Sequence, residues 1–373
     1  GCFFHLLDRN ARFMVFPLPL AAFEDYLLAD DRPTCPMDFF VKLSFRGVLQ
    51  RSVFQEAVDA AVDRHPLLRA LIAPRRWRGN QWVAGELSRI NVEAQPPGSI
   101  ETCSAIDLRR QAGLRVFVEE CDEGSRVWLQ FHHVCCDGLG ALRVVEDVLA
   151  CYDGLVRGTG GALLRPVDPM QLRRRDRFSD DRRGLLARAR ASIPRQWLGL
   201  LGAAEYFAHR PISLDSPVTQ GRKADRAAGA VRCLDARRLS REETIALRQT
   251  AKRLDCTTND ILLWALYRAI DGWTTRHGLG ASAGYVRIMI PTNLRGERDH
   301  AMPAANRVSM VFLDRRPSDF GSSLALVDSI AREMRRIKRH RLGLSLLSAI
   351  RLVRMFPGGI RRAGFARRHH CCG

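Results

Sequence analysis

The chain has 373 residues, 46% hydrophobic and 27% charged, which excludes a disordered or fibrous polypeptide and leaves two domains, or one large pseudo-symmetric domain, as the expected organisation. A chain of this length can bury a large core without disulfide or metal staples. The formal net charge is +19 and all but four of the 59 basic residues are arginine; such a field favours anionic partners, although a GC-rich genome would give the same bias with no ligand attached.

The longest stretch free of Asp, Glu, Lys and Arg runs from Phe13 to Phe23 and is broken by Pro17 and Pro19. It is too short for a spanning helix, which takes about 20 apolar residues, and no cleavage site of a signal peptide follows it. Aromatic residues with partial alternation predict a strand over Phe39 to Phe45. Ser52 is placed to cap a helix whose stripe is Val53, Ala57, Val58, Ala61 and Val62. That helix must end near His65, because Pro66 disfavours helical backbone before it. Leu67 to Leu71 leads into a second strand. Val116–Val118 and Val127–Phe131 predict a strand pair about a turn at Asp122-Glu123-Gly124. Helical spacing of apolar residues then runs from Leu139 to Leu155.

Residues 158–225 change character. They open with Gly158-Thr159-Gly160-Gly161, carry nine arginines between Arg173 and Arg195, and hold Pro166, Pro169, Pro194, Pro211 and Pro217. They read as a crossover, with some helix near 182–208, joining a lobe at 1–157 to a lobe at 226–373. The glycine run lacks the Lys-Ser/Thr of a phosphate loop and reads as a flexible linker; Gly278-Leu279-Gly280 precedes a strand and fails the dinucleotide pattern. Beyond the crossover, Val231–Leu234 predicts a strand. Ser240-Arg241-Glu242-Glu243 predicts a capping box opening a helix to about Leu254. Thr257-Thr258-Asn259-Asp260 opens another helix to about Arg276. Strands follow at Tyr285–Ile290, stopped by Pro291, and at Arg307–Leu313, and Ser318 caps a long helix to about Arg341. From Arg332 to His370, twelve Lys or Arg stand against Glu333 alone. The alternation of helices and strands gives an α/β or α+β class with two lobes. A chain that starts at Gly1 and stops at Cys371-Cys372-Gly373 is expected to be a fragment, with its C-terminal lobe truncated.

The eleven cysteines form no Cys-x-x-Cys, and the adjacent pairs Cys135–Cys136 and Cys371–Cys372 suit neither zinc nor an ordinary disulfide; free thiols in a reducing cytoplasm are expected. One cluster carries chemistry: His132-His133-Val134-Cys135-Cys136-Asp137-Gly138, where a predicted strand gives way to a helix. A histidine there can act as a general base, since its pKa lies near physiological pH. An aspartate four residues on can fix the turn or hold an ion pair, and the glycine admits a close approach. Neighbouring strand residues point to opposite faces, so one of the two histidines at most faces a given cleft. The bland alternative is a satisfied core histidine pair.

His-His-x-x-x-Asp-Gly closely resembles the signature of the chloramphenicol-acetyltransferase-like superfamily, which includes condensation domains of nonribosomal peptide synthetases, polyketide-associated acyltransferases, alcohol acetyltransferases and wax ester/diacylglycerol acyltransferases. Other segments fall in the order of that family: Arg64-His65-Pro66-Leu67-Leu68-Arg69, Thr258-Asn259-Asp260-Ile261-Leu262, Pro291-Thr292-Asn293-Leu294-Arg295 and Asn306-Arg307-Val308. The resemblance spans residues 20 to 340. It implies an α/β (α+β two-layer) fold of two lobes meeting in a V around an active-site tunnel. It implies transfer of an acyl group from a thioester, either acyl-CoA or a phosphopantetheine thioester on an acyl carrier protein, to a hydroxyl or amine. By the same resemblance His133 is the base and His132 supports the local geometry. Asp137 pairs with Arg295 as a structural ion pair, Gly138 keeps the helix entrance open for the acyl carbonyl, and Asn259 and Asn306 are substrate-tunnel candidates. No metal or bound cofactor is implied. The partners it implies are a small-molecule or lipid acceptor, an acyl carrier protein and peripheral contact with an anionic surface. Specific nucleic-acid binding is not expected, because few rings are interleaved with the basic residues. No adenylation or carrier segment lies within these residues, which favours a free-standing acyltransferase over a condensation-type, peptide-bond-forming domain. A catalytically silent domain of the same fold, binding a carrier protein or an anionic surface, is the reading from another class.

Overall fold

A computed structural model of the chain describes residues 15–32, 36–76, 79–85, 89–99, 104–122, 124–159, 164–178, 197, 201–202, 204–206, 208–212, 237–277 and 284–356. The expected strand at Val231–Leu234, most of the helix near 182–208, the Gly278–Gly280 segment and the terminal cysteines lie outside these residues.

The alternating aromatic run becomes β2 (Asp38–Arg46), antiparallel to β7 (Gly124–His132), which is in turn antiparallel to β6 (Leu114–Cys121). A short β5 (Val92–Ala94) joins parallel to β6, giving the order β2-β7-β6-β5. Ahead of this sheet, β1 (Leu18–Pro19), β3 (Leu71–Pro74) and β4 (Asn80–Val83) make a small sheet of order β1-β4-β3. The helices α1 (Ala22–Asp30), α2 (Arg51–Val62) and α3 (Gly138–Arg157) share one apolar core with these strands, built on Phe54, Val58, Leu67, Leu129, Phe131, Val144 and Val148.

A second core forms further along. After α4 (Arg241–Arg253), α5 (Thr258–Arg276) buries Leu263 and Tyr267 against the antiparallel pair β8 (Val286–Asn293) and β9 (Val308–Arg315). The helix α6 (Ser323–His340) contributes Leu326, Ile330, Met334 and Ile337. The Tyr267 hydroxyl donates to the Leu313 carbonyl at 2.8 Å, so this ring is anchored at both ends. The last described helix, α7 (Gly343–Arg354), returns to the first core: Leu347 and Ile350 are buried there, and Arg354 pairs with Asp25 of α1 at 2.6 Å.

Buried charge ties these parts together. Glu24 of α1 is fully buried and accepts two bonds from Arg175 (2.6 and 2.8 Å), one from the Trp82 indole (2.9 Å) and one from the Ala21 N–H (2.8 Å). Arg175 lies just beyond the 3₁₀ turn Pro169–Arg174, so this pair fastens the start of the crossover to the first core. Removing one partner of such a pair strands a charge in the interior. Glu24→Ala is therefore expected to cost about 3–5 kcal/mol, read as a lower midpoint in urea unfolding. Asp153→Ala, which breaks a pair to Arg157 that is more than half exposed, is expected to cost under about 1 kcal/mol.

Three boundaries differ from the pattern read in the sequence. The helix expected to be capped by Ser52 begins two residues earlier, at Arg51, and Gln50 caps it without a side-chain bond. Tertiary contacts set that entrance: the Tyr152 hydroxyl accepts from the Gln50 N–H at 3.0 Å and Ser125 Oγ from the Leu49 N–H at 2.9 Å. Pro291 does not stop its strand but sits opposite Met310 within β8. In a two-stranded ladder a residue with no N–H is tolerated where its nitrogen faces away from the partner strand. Ser318 lies in the 3₁₀ turn Pro317–Phe320, whose Phe320 is buried in the second core, and the long helix is capped instead by Ser322.

Candidate active site

β7 ends at His132, and residues 133–135 form the turn into α3. The sheet holds this end firmly. The His132 N–H donates to the Gly113 carbonyl (2.9 Å) and the His133 N–H to the Met37 carbonyl (2.7 Å). His132 is buried; its Nδ1 accepts from the Val134 N–H at 3.2 Å and its Nε2 lies 3.4 Å from Asp31 Oδ2. An accepting Nδ1 leaves the proton on Nε2, directed at the Asp31 carboxylate. Burial alone would push Asp31 up, but hydrogen bonds from His132 and the Met37 N–H prevail and hold its carboxyl below the ordinary range. His132 is thus engaged on both ring nitrogens, in support of the turn.

His133 is only partly buried, with its ring edge-on to Phe39 at 5.3 Å between centroids. Its Nδ1 is buried without a hydrogen-bond partner. Burial pushes its pKa below the usual histidine value. At neutral pH the ring is accordingly an unprotonated base. Its backbone is clamped from far along the chain: Asn306, buried just ahead of β9, donates from Nδ2 to both the His133 and Val134 carbonyls at 2.8 Å.

Asp137 caps α3 by accepting from the Gly140 N–H at 2.8 Å. The same carboxylate receives Arg295 in a two-pronged ion pair (2.7 and 2.9 Å) and the Arg307 N–H (2.9 Å). Arg295 also donates to the Ala305 carbonyl at 3.1 Å. These four bonds occupy the acceptor positions of this carboxylate, so it is committed to structure. Arg307 extends the latch. Its guanidinium pairs with Asp299 (2.7 Å) and donates to the carbonyls of Arg175 and Arg177, beneath the ring of Phe178.

The structure brings His132, His133, Asp137, Gly138, Arg295 and Asn306 together. It does not bring Asn259 to them: that residue is exposed on the first turn of α5, and no hydrogen bond among the described residues joins it to the His133 turn. Asn306 is used for the backbone of the turn and has no free N–H to offer a ligand. Four contributors escaped the sequence reading. Arg307 and Gly140 adjoin residues already singled out. Asp31 and Met37 stand about a hundred positions before His132, and nothing local marks them.

The two glycines at the start of α3 do different work. A Cβ on Gly138 would meet no atom within 4 Å, so the space beside the His133 turn is open there. A Cβ on Gly140 would lie 3.0 Å from the Cys136 Cβ and 3.3 Å from the Ala305 backbone N and O. Gly140→Ala is expected to destabilise the fold by about 1–3 kcal/mol through overpacking. Gly138→Ala should leave the melting temperature within about 1–2 °C while lowering the rate of any reaction that uses that space. Paired thermal melts and activity measurements on the two variants read this directly.

Among the described residues no group of three or more His, Cys, Asp or Glu is placed to hold a metal ion, and no helix is long and apolar enough to cross a membrane. Cys121, Cys135, Cys136, Cys151 and Cys256 are free thiols. Burial pushes the Cys135 and Cys136 thiols well above their ordinary range, which makes them unreactive neighbours of the site.

No family model matches the chain. An uncharacterized protein of Mycobacterium tuberculosis is 26% identical over 328 residues, covering 84% of this chain and 67% of that protein. A mycosubtilin synthase protein of Bacillus subtilis is 24% identical over 254 residues, 63% of this chain but 9% of that protein. Many solved structures are similar, two of which illustrate the range. The first condensation domain of the calcium-dependent antibiotic synthetase, in complex with a substrate analogue, has a TM-score of 0.64 at 13% identity and covers 87% of this chain and 75% of that one. The X-domain from teicoplanin biosynthesis, solved with OxyB, has a TM-score of 0.57 at 16% identity and covers 88% and 71%.

Proposed function

We propose that this chain, which has the chloramphenicol-acetyltransferase-like α/β fold of condensation domains, is an acyltransferase moving an acyl group from a thioester to a hydroxyl or amine, with His133 as general base. The observation that carries the reading is the setting of His133. One ring nitrogen is buried without a hydrogen-bond partner, burial holds its pKa below the usual value, and its backbone carbonyl is clamped by Asn306 from far along the chain. In the step proposed, His133 Nε2 takes the proton of the acceptor O–H or N–H as that atom attacks the thioester carbonyl. The tetrahedral oxyanion collapses, the C–S bond breaks, and the leaving thiolate takes the proton back from the imidazolium. The acyl carbonyl approaches over Gly138. Donor and acceptor reach His133 through a tunnel between the lobes at 1–157 and 226–373. The donor is acyl-CoA or a phosphopantetheine thioester on a carrier protein; the acceptor is a small molecule or lipid. No resident cofactor takes part.

A second reading has its own support. The X-domain of similar fold was solved in complex with OxyB, so a domain of this shape can be a docking platform, here for a carrier protein or an anionic surface. The test is to incubate the protein with acyl-CoA and acyl carrier thioesters against a panel of alcohols and amines and to follow free thiol. Release that needs both the acceptor and His133 supports acyl transfer, and an amide product would assign the condensation-type variant. Tight carrier binding with no acceptor-dependent thiol supports the platform.

A further inference from the structure

The backbone at His133 and Val134 offers two N–H groups and two carbonyls, and all of them are engaged. Asn306 holds the two carbonyls at 2.8 Å. The His133 N–H donates to the Met37 carbonyl at 2.7 Å, and the Val134 N–H to His132 Nδ1 at 3.2 Å. Both of these acceptors lead to one side chain. Asp31 Oδ1 accepts from the Met37 N–H at 3.0 Å, and Asp31 Oδ2 lies 3.4 Å from His132 Nε2. One carboxylate therefore stands behind both N–H bonds of the turn, through Met37 on one side and the His132 ring on the other.

Asp31 is itself a fixed point. It closes the C-terminal end of α1, where its N–H donates to the Leu27 carbonyl at 2.9 Å, and α1 is seated in the first core through Phe23, Tyr26 and Leu27. Among the described residues its one ion-pair partner is His132. Asp38 stands opposite His132 in the ladder, but its bonds go to the Ile106 N–H (3.0 Å) and the Gln130 amide (2.8 Å) and not to either histidine. Although burial opposes it, the bonds from His132 and the Met37 N–H hold the Asp31 carboxyl below the ordinary range, so it is an anion at neutral pH. A carboxylate anion accepts and does not donate, which keeps the His132 proton on Nε2 and leaves Nδ1 open to the Val134 N–H.

We propose that Asp31 is a positioning residue for His133, acting through Met37 and the His132 ring to fix the backbone that carries the base. This role rests on the acyl-transfer reading of His133. What separates it from an ordinary ion pair is its need for two acceptor oxygens. Asparagine has the shape of aspartate but one acceptor oxygen and an amide donor. In Asp31→Asn that oxygen can serve the Met37 N–H or the His132 Nε2–H, and the amide donor then faces the other. Two donors do not bond, so in either orientation one arm opens while the volume at the site is kept.

The test uses the intact chain as wild type, Asp31→Asn and Asp31→Ala, each also combined with His133→Ala. Imidazole NMR of the wild type should find the His132 proton on Nε2. Hydrogen exchange in Asp31→Asn should be faster at the His133 and Val134 amides and unchanged in the β8–β9 ladder. In acceptor-dependent thiol release, Asp31→Asn should lower kcat by about 10–100-fold with KM little changed, as a displaced base would. Asp31→Ala should lower it at least as far. With His133→Ala already present, neither substitution should slow release further, since no base is left to place. Wild-type release that does not depend on His133 overturns the acyl-transfer reading and this role with it. Where release does depend on His133, the role of Asp31 alone is overturned by an unaltered kcat in Asp31→Asn, by unaltered exchange at the two amides, or by a His132 proton on Nδ1. The wild-type proton position is read even if no variant folds.

Discussion

Replacing His133 with alanine is expected to slow thioester-dependent transfer by about 10²–10⁴-fold, the usual contribution of a positioned general base. Stability should change by no more than about 1 kcal/mol, because the buried Nδ1 has no hydrogen-bond partner to lose and the ring gives up mainly its edge contact with Phe39. His132→Ala should act the other way round, retaining more activity while loosening the turn that Val134 and Asp31 hold through it. The pH profile is a further check. A base whose pKa is lowered stays unprotonated, and so competent, to a lower pH than a free histidine, so the acid limb should fall below about 6.5. A limb above that value, or a His132 variant slower than the His133 variant, would mean that the base has been misassigned.

Asp137→Ala should lose stability and activity together. That carboxylate receives four bonds, from Arg295 twice and from the Gly140 and Arg307 N–H groups. Its removal strands the Arg295 guanidinium and opens the cap of α3, at a cost of about 3–5 kcal/mol for the broken buried pair. Arg295→Ala should cost somewhat less, since Asp137 keeps its two N–H donors. The double variant should be less damaging than the sum of the singles by about 0.5–3 kcal/mol, the coupling found between residues in contact. Chemical denaturation of the four proteins closes this cycle. Strict additivity would mean that the pair seen in the structure contributes nothing as a pair.

The contrast between these variants follows from the geometry. His133 stands in the turn beside the space left open at Gly138, and its loss is expected to remove a chemical group. Asp137 sits where three separated stretches of chain converge, and its loss removes a joint. The motif that holds both residues is seven positions long, yet one of them keeps a ring nitrogen without a hydrogen-bond partner and the other has its carboxylate fully engaged.

What could be read from the residues alone is what depends on near neighbours. The capping boxes at Ser240–Glu243 and Thr257–Asp260 stand where the pattern puts them, because each is closed by residues three apart. β2, β6, β7 and α3 follow their apolar periods for the same reason: each turns inward, wholly or partly buried, the apolar residues that its own sequence marks out. The His-His-x-x-x-Asp-Gly run was legible too, and through its resemblance to a known signature so was the partnership of Asp137 with Arg295. Other features needed the folded chain. Glu24 meets Arg175 across 151 positions, and Arg307 meets Asp137 across 170. Met302, Ala304 and Ala305, from the lobe expected at 226–373, are buried in the first core, so the boundary drawn in the chain does not divide the packing. Asn259 and Asn306 look equivalent as sequence, yet one is exposed and the other is buried beneath the His133 backbone. Pairing between distant residues is selected by which polar groups are left without water once the apolar faces close, and that is a property of the assembled core with no counterpart in local spacing.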